Sequence, residues 1–457
     1  MAKNNITQYD ATAANNTDID SINIAEGMAA SDVNNAIRSL MSHLKNMDTG
    51  SQALTSPSFT AMSTDTINEK TSTNGVAIDS VTLKDGELGT TASPVPINSS
   101  SLNGGQFGGR RNLIINGAMQ VSQRGTSFTS QTADHYFVDR FKLGATSLGT
   151  WTTSQSTDSP DGFAYSAKIE CTTADASPAS TDLLYFYSRF EGQNLQQLKF
   201  GTSDAESVTI SFYVKCSKTG VFTVNWRNQD AGRSIGSDVT ISSADTWEFK
   251  TITFSGDTSG SFNNDNGWSA NLEFMLNAGT NYTSGNTLTS YASHSNTNGT
   301  RAGGTTLALG ANIGETIQFT GIQVEVGSVA TPFEHRSFGE ELGLCQRYFN
   351  IFGTDTSNAF ENFGIAVAFG SGAGNIRMPM NMPVTMRAIP SVAHSGAFAC
   401  IGQLNIGTLS SIGLADGGSP TNIMLNITGS NSVSSGDVSP FRSNNDVDAF
   451  ISFDSEL

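Results

Sequence analysis

Two stretches of this chain alternate apolar and polar residues with a period of two: Val208-Thr209-Ile210-Ser211-Phe212-Tyr213-Val214 and Phe249-Lys250-Thr251-Ile252-Thr253-Phe254. Successive side chains of an extended strand point to opposite faces, so this period sets one apolar face against a core and leaves the other face polar. Further strand-like runs occupy 112–120, 165–171, 183–190, 221–227, 272–276 and 316–326, with polar, glycine-containing turns between them. Stretches rich in Ala, Glu, Lys and Leu are nearly absent after residue 50, while glycine is frequent (46 residues) and proline scarce (11). The chain is therefore read as mostly β. Residues 110–337 are expected to form a two-sheet antiparallel sandwich of jelly-roll type.

A length of 457 residues accommodates roughly three domains. Charged residues make up 14% of the chain and its formal charge is −17, with no run of Lys or Arg. A chain so acidic is a poor partner for nucleic acid, and its charge gives no general attraction to an anionic surface. Cys171, Cys216, Cys345 and Cys400 lie far apart without Cys-x-x-Cys spacing, which speaks for buried free thiols and against a zinc site or a disulfide framework. The first residues, MAKNNITQYD, lack the apolar core of a signal peptide, and no later run is apolar enough to span a bilayer. Folding in a cytoplasm is the expectation.

Residues 1–50 are expected to form an attachment segment with a helix. Ser31 and Asp32 supply helix-capping chemistry, and Val33, Ile37, Leu40, Leu44 and Met47 succeed them at heptad spacing. Two arrangements fit this stripe: an amphipathic helix packed on its own chain, or a contact between three copies of the helix. The neighbouring segment, 51–109, favours the second. There Val76 and Ile78 alternate, then Val81 and Leu83, between the turn signals Asn74-Gly75 and Asp85-Gly86. Strands this isolated cannot cover themselves, whereas three identical chains wound together bury them on a common axis, so 51–109 reads as a thin trimeric β shaft and a linker. Residues 338–457 are expected to open with a helix bearing Leu342, Cys345 and Phe349 on one face and to continue as a small β head domain, with strand pieces at 365–369, 389–394, 424–427 and 449–453. The Pro-rich MPMNMPVTMRAIP at 378–390 demands extended or turn backbone.

The segment INIAEGMAASDVNNAIRSLMSHLKN (22–46) resembles the N-terminal module of tail-fibre proteins from phages of marine and aquatic bacteria, and TDTINEKTSTNGVAIDSVTLKDG (64–86) is similar to a shaft motif of phage tail fibres. RRNLIINGAMQVSQRGTSFT (110–129) with ADHYFVDRFKL (133–143) resembles the start of their carbohydrate-binding-like sandwich domains, and GIQVEVGSVATPFEHRSFGEELGLCQRYF (321–349) the closing strand and connector. The resemblance implies a homotrimeric fibre of the virion tail. Its N-terminus would dock to tail tube, adaptor or nozzle proteins, and its C-terminal domains would face a polysaccharide or outer-membrane receptor of the host cell. The segment 355–457 matches no family pattern.

Catalytic constellations are missing from the sequence. There is no Gly-x-Ser-x-Gly elbow, His-Glu-x-x-His helix or P-loop, and the five histidines have no partner at metal-ligand spacing. The chain is read as a non-enzyme needing no cofactor. A glycan-depolymerising tail spike and a purely architectural tail part are the alternatives, the former weakened by the lack of a β-helix repeat. Binding residues are easier to nominate, because aromatic rings and amides suit sugars. Trp226 and Trp247 sit in or beside strand-like runs and are expected to pack in the core. Trp268 comes after the polar stretch 262–267 and is a candidate exposed sugar contact, joined by Tyr282 and Tyr291 in the polar run 279–304. Glu325, with oxygens near Asn116, is a candidate position for a structural calcium, although no calcium-loop motif declares it.

Overall fold

The structure, a computed structural model, describes residues 3–4, 8–49, 51, 89–90, 93–94, 101–102, 105–106, 110–294, 299–353, 357–370, 376–401, 404, 406–415 and 418–457. The proposed shaft residues Val76, Ile78, Val81 and Leu83 lie outside them. The chain divides into two compact units, Met1–Pro96 and Ile97–Leu457. It is mostly β, with antiparallel sheets arranged as sandwiches and a small N-terminal helix. Among the described residues no helix is long and apolar enough to cross a membrane.

In the first unit, helix α1 (Ala30–Asp48) starts before the expected cap at Ser31 and Asp32. Extended Ala29 occupies the cap without a side-chain bond, and Asp32 falls in the first turn, where a negative charge meets the positive end of the helix. His43 is buried on this helix between the Tyr9 hydroxyl, 2.5 Å from Nδ1, and the Asp20 carboxylate, 3.1 Å from Nε2. The N-terminal segment thus covers one side of α1. The heptad stripe stays open: Val33 is 43% exposed, Ile37 53%, Leu40 41% and Leu44 44%, with Met47 half-buried. Val33, Ile37 and Leu40 border an apolar groove of about 200 Å³ that Ile19, Ile24 and Met28 complete.

Among its described residues the second unit contains two large hydrophobic cores, one drawn from residues 114–324 and one from 366–453, and a small cluster beside the first. The first lies between two sheets. Their strands are β1 (Ser127–Gln131), β2 (His135–Val138), β3 (Phe141–Thr146), β4 (Thr150–Ser156), β5 (Ser166–Thr173), β6 (Leu183–Glu191), β7 (Val208–Cys216), β8 (Gly220–Asn228), β9 (Arg233–Ile241), β10 (Glu248–Phe254), β11 (Trp268–Ala278), β12 (Ala292–Ser293) and β13 (Thr316–Val326). One sheet runs β10-β7-β13-β5-β4-β1 and the other β12-β9-β8-β11-β6-β3-β2, antiparallel throughout. The predicted alternation is realised in β7, where Val208, Ile210, Phe212 and Val214 are fully buried. Phe186 on β6 stacks on Phe319 of β13 with centroids 5.1 Å apart, and Phe274 of β11 meets Phe212 of β7 edge-on at 5.1 Å. These pairs join the two sheets, each contributing about 1 kcal/mol beyond its buried area.

Strand β13 changes phase halfway. Ile317 and Phe319 point inward, and then Ile322 and Val324 do. Opposite β7 the register jumps between Ser211 and Tyr213, so two residues of β13 face one of β7, and Gly321 takes φ +60° at the bulge. A Cβ at Gly321 would come within 2.7 Å of the Phe163 ring.

The expected strand at 112–120 does not form. Asn116 and Met119 adopt left-handed backbone (φ 62° and 57°), and Asn116 spends its amide on the backbone of Val121 and Asp139 (2.8–2.9 Å). The segment runs beside β13 instead, held by single bonds such as Leu113 N–H to the Val324 carbonyl, 2.8 Å.

After the sandwich, whose connections include the short helix α2 (Thr280–Thr283), Ser337 caps α3 (Phe338–Gln346), accepting from the Glu340 amide. Cys345 is buried on the helix, but Phe349, expected on the same face, opens a strand. The second core is enclosed by β14 (Phe349–Phe352), β15 (Asn362–Ala368), β16 (Ile376–Asn381), β17 (Ser391–Ser395), β18 (Phe398–Cys400), β19 (Leu409–Leu414), β20 (Asn422–Gly429), β21 (Val438–Ser443) and β22 (Phe450–Asp454), in sheets β14-β22-β17 and β18-β21-β15-β16-β20-β19. Pro379 lies inside β16 opposite Met424 of β20, but beyond Ile376 and Arg377, the two residues that β15 pairs, so on the β15 side its missing N–H interrupts no ladder.

The two cores are fastened by charge. The Glu191 carboxylate, at the end of β6, accepts from Arg347 Nε and Nη2 (2.7 Å each) and from the Tyr348 hydroxyl at 2.5 Å. Buried Arg140 pairs with Glu456 and lies 3.5 Å over the Tyr348 ring.

Candidate functional site

The outward phase of the seven-stranded sheet carries the candidate site. On β6, Leu184, Phe186 and Phe190 enter the core, which turns Tyr185, Tyr187 and Arg189 to the other face. On β11 the inward set is Leu272, Phe274 and Leu276, and Asn271 and Glu273 face out; Arg227 does the same on β8. Register brings them together: Arg189 lies opposite Asn271 and Tyr187 opposite Glu273 on one side, and Arg227 opposite Asn271 on the other. The result is a cleft of about 240 Å³ whose half-exposed rim is formed by Tyr185, Arg189, Trp268 and Arg301, with Tyr282 buried in its lining.

Each rim group is held in place. The Arg189 guanidinium lies 3.8 Å over the Trp268 ring, the indole N–H donates to Asn271 Oδ1, and Arg189 also donates to a main-chain oxygen of Leu457, the last residue. Tyr185 stacks on Tyr187 (4.7 Å, 16°) and supports Arg301 at 4.7 Å. Gly144 on the neighbouring β3 makes room for this: a Cβ there would sit 2.2 Å from the Tyr185 ring. Below them Glu273 is fully buried, 2.6 Å from Arg227 Nη1, 3.0 Å from Arg301 Nη2 and 3.0 Å from Asn271 Nδ2. Burial alone would raise its carboxyl, but Arg227 and Arg301 outweigh burial and hold it down at about 2. Glu273 is therefore a fixed anion that braces two guanidiniums, and it has no proton to give near neutral pH.

Trp268, the candidate exposed contact after the polar stretch 262–267, is the first residue of β11, half-buried at the cleft rim. Tyr282 also reaches the cleft, from the short helix α2 (Thr280–Thr283), and packs with Leu183, Met275 and Ala302. Tyr291 does not join them, because its ring packs edge-on against Phe200 at 5.7 Å, beside the first core. Trp226 is core, as expected, while Trp247 is half-buried and donates to Asp158 at 3.2 Å. Glu325 accepts from the Thr331 amide and hydroxyl, while the Asn116 side-chain oxygen accepts from the Val121 amide, so the candidate calcium oxygens are engaged separately. Among the described residues no three His, Cys, Asp or Glu side chains gather as a metal site.

Tyr185, Arg189, Arg227, Asn271, Glu273 and Arg301 are not singled out by the sequence reading. A signal exists in Tyr185-x-Tyr187-x-Arg189 and in Asn271-x-Glu273, polar or polar-tipped side chains in the phase opposite to a phenylalanine and leucine face.

No protein-family model and no curated protein matches the sequence. Solved structures similar to it include the enzymatically active domain of bacteriophage CBA120 tailspike protein 4 (12% identity, 47% of this chain and 21% of that one, TM-score 0.25). A CBM4 module is 14% identical over 46% of this chain and 97% of its own, at TM-score 0.24. The module TmCBM61, solved with β-1,4-galactotriose, is 7% identical over 48% and 99%, also at 0.24. The chain thus spans about a fifth of the tailspike domain's length. Likeness at this level assigns neither ligand nor activity.

Proposed function

We propose that this chain is a homotrimeric phage tail fibre that attaches to the tail through its N-terminal segment and recognises host cell-surface glycan through the cleft on its seven-stranded sheet. The observation that carries the glycan reading is the cleft itself, where half-exposed Trp268 and Tyr185 stand at the rim beside Arg189 and Asn271. Aromatic faces cover the apolar side of a sugar ring while amides and guanidiniums take its hydroxyls, and a few fixed polar groups on an aromatic surface define a small-ligand site. Two observations support the trimer: the open heptad stripe of α1, and a groove that continues it. The four motifs that resemble tail fibres support the attachment role.

A binding role fits the cleft better than hydrolysis. Glycosidases need two carboxyl groups, one of them with a raised pKa, whereas among the described residues one carboxylate lines this cleft and it is held low.

The test is binding of purified protein to envelope polysaccharide of a susceptible host, compared with the Trp268→Ala variant. Loss of an aromatic anchor should cost about 2 kcal/mol, roughly thirtyfold in affinity. Equal binding by the variant would remove the cleft from the reading. Falling polymer viscosity would replace binding by depolymerisation.

A further inference from the structure

The six-stranded sheet of the smaller core is apolar on its outer face as well as its inner one. On β15 the inward phase is Ala366 and Ala368, and the outward phase is Ile365, Val367 and, just past the strand, Phe369. On β21, Ser439 and Phe441 face in while Val438 and Pro440 face out. Register sets the outward groups side by side, Ile365 opposite Pro440 and Val367 opposite Val438. Ile401 extends the row beyond β18, its amide donating to the Pro440 carbonyl at 3.1 Å. Pro379 of β16 and Met424 of β20 pair on the same face. Phe369 is 79% exposed, Ile365 53%, Val438 50% and Ile401 41%.

A strand that is apolar in both phases belongs in a sheet covered on both sides, because a sheet with one wet face alternates. Charge selects the cover. The chain carries 41 Asp and Glu, yet the strands of this sheet, β18-β21-β15-β16-β20-β19, contain none. In the middle of the face Arg377 is turned onto Asn426 of β20, and at its edge Arg442 lies 4.5 Å over the Phe360 ring. Copies of a chain with formal charge −17 repel one another, and a sheet built without carboxylates is where they meet at least cost. The exposed apolar surface is on the order of 500 Å², less than the roughly 800 Å² that each partner gives to a self-standing interface. Such a face closes between chains already held together, as the α1 stripe would hold them, at a local concentration on the order of millimolar. Resting on the homotrimer reading, we propose that this face is covered by the same face of two further copies of the chain, so that three sheets enclose a common axis with Ile365, Val438 and Phe369 between them.

The test is hydroxyl-radical footprinting of the full chain, read by peptide mass at Phe369 and Met424, with Phe249 on β10 of the sandwich, 52% exposed, as reference. Light scattering on the same samples gives the mass. The unaltered protein is compared with the Ile37→Asp/Leu40→Asp variant and, in case that variant folds poorly, with itself diluted to single-chain mass. The expected result is oxidation of Phe369 and Met424 about fivefold slower in the three-chain form, with Phe249 unchanged, because the centre of a protein interface excludes water. Ile365→Asp with Val438→Asp should keep the three-chain mass and return Met424 to its single-chain rate. Equal rates in the three-chain and single-chain forms would overturn this proposal and leave the trimer reading intact. Slow oxidation in the single chain would overturn it by assigning the cover to the chain's own residues. Protection that comes only with added host envelope would overturn it by making the face a receptor site. A single-chain mass for the unaltered protein would end the trimer reading itself.

Discussion

At Glu273 one carboxylate serves two guanidiniums directly. Replacing it by Gln removes the anion and leaves Arg227 and Arg301 buried side by side, a change expected to cost about 3–5 kcal/mol, read as a lower urea midpoint. The pH dependence has a definite sign. An unfolded glutamate titrates at its ordinary 4.5 and Glu273 at about 2, so its contribution is complete above 4.5 and is lost as pH falls towards 2. His294, pushed down to about 4 by burial and by Arg227, works in the same direction, because the unfolded chain protonates first between 6.5 and 4. Urea midpoints should therefore fall steadily below pH 6.5, and Glu273→Gln should flatten the part below 4.5. Gly144→Ala tests the floor under the rim, since the added methyl overlaps the Tyr185 ring. It should lower stability by about 1–3 kcal/mol and weaken glycan binding in parallel.

At the scale of elements, strands whose cores are phenylalanine and leucine at every second residue are readable from sequence. The runs at 208–215 and 316–326 match β7 and β13 closely because burial on one face specifies both period and phase. The polar stretch 262–267 ends where β11 begins, since the tryptophan after it already pairs with Glu191. The run at 112–120 misleads because hydrophobicity says nothing about a left-handed Asn116. Most of the cleft is hidden for a different reason. Its side chains come from β6, β8 and β11, which are far apart in the chain and meet only through sheet order. Helix α1 offers a direct trial of the assembly reading. Ile37→Asp with Leu40→Asp should reduce the mass by light scattering from three chains of 48.2 kDa to one, with the sandwich still folded. Unchanged mass would place trimer contacts elsewhere, and a single-chain mass for the unaltered protein would end the trimer reading.

Across the second unit, two cores share one set of ion pairs. Arg124 reaches Asp454 at 3.1 Å and Glu456 at 3.3 Å, Arg140 holds Glu456, and Arg347 grips Glu191. Their melting should be coupled. Glu456→Gln strands Arg140 in its buried site, so calorimetry should resolve two transitions in place of one, the lower belonging to the smaller core. The same fastening has another side. Strands β14 and β22 are hydrogen-bonded neighbours, and both touch the sandwich, through Gln123 to the Phe349 carbonyl at 2.9 Å and through Arg124 to Asp454. The first and last strands of the smaller core therefore meet the sandwich at one seam. Residues on both sides lean on that seam, since β17 pairs with β22 and Arg387 reaches the Ser455 carbonyl and Asn266 of the sandwich, so a change at any one of these contacts is felt in both cores.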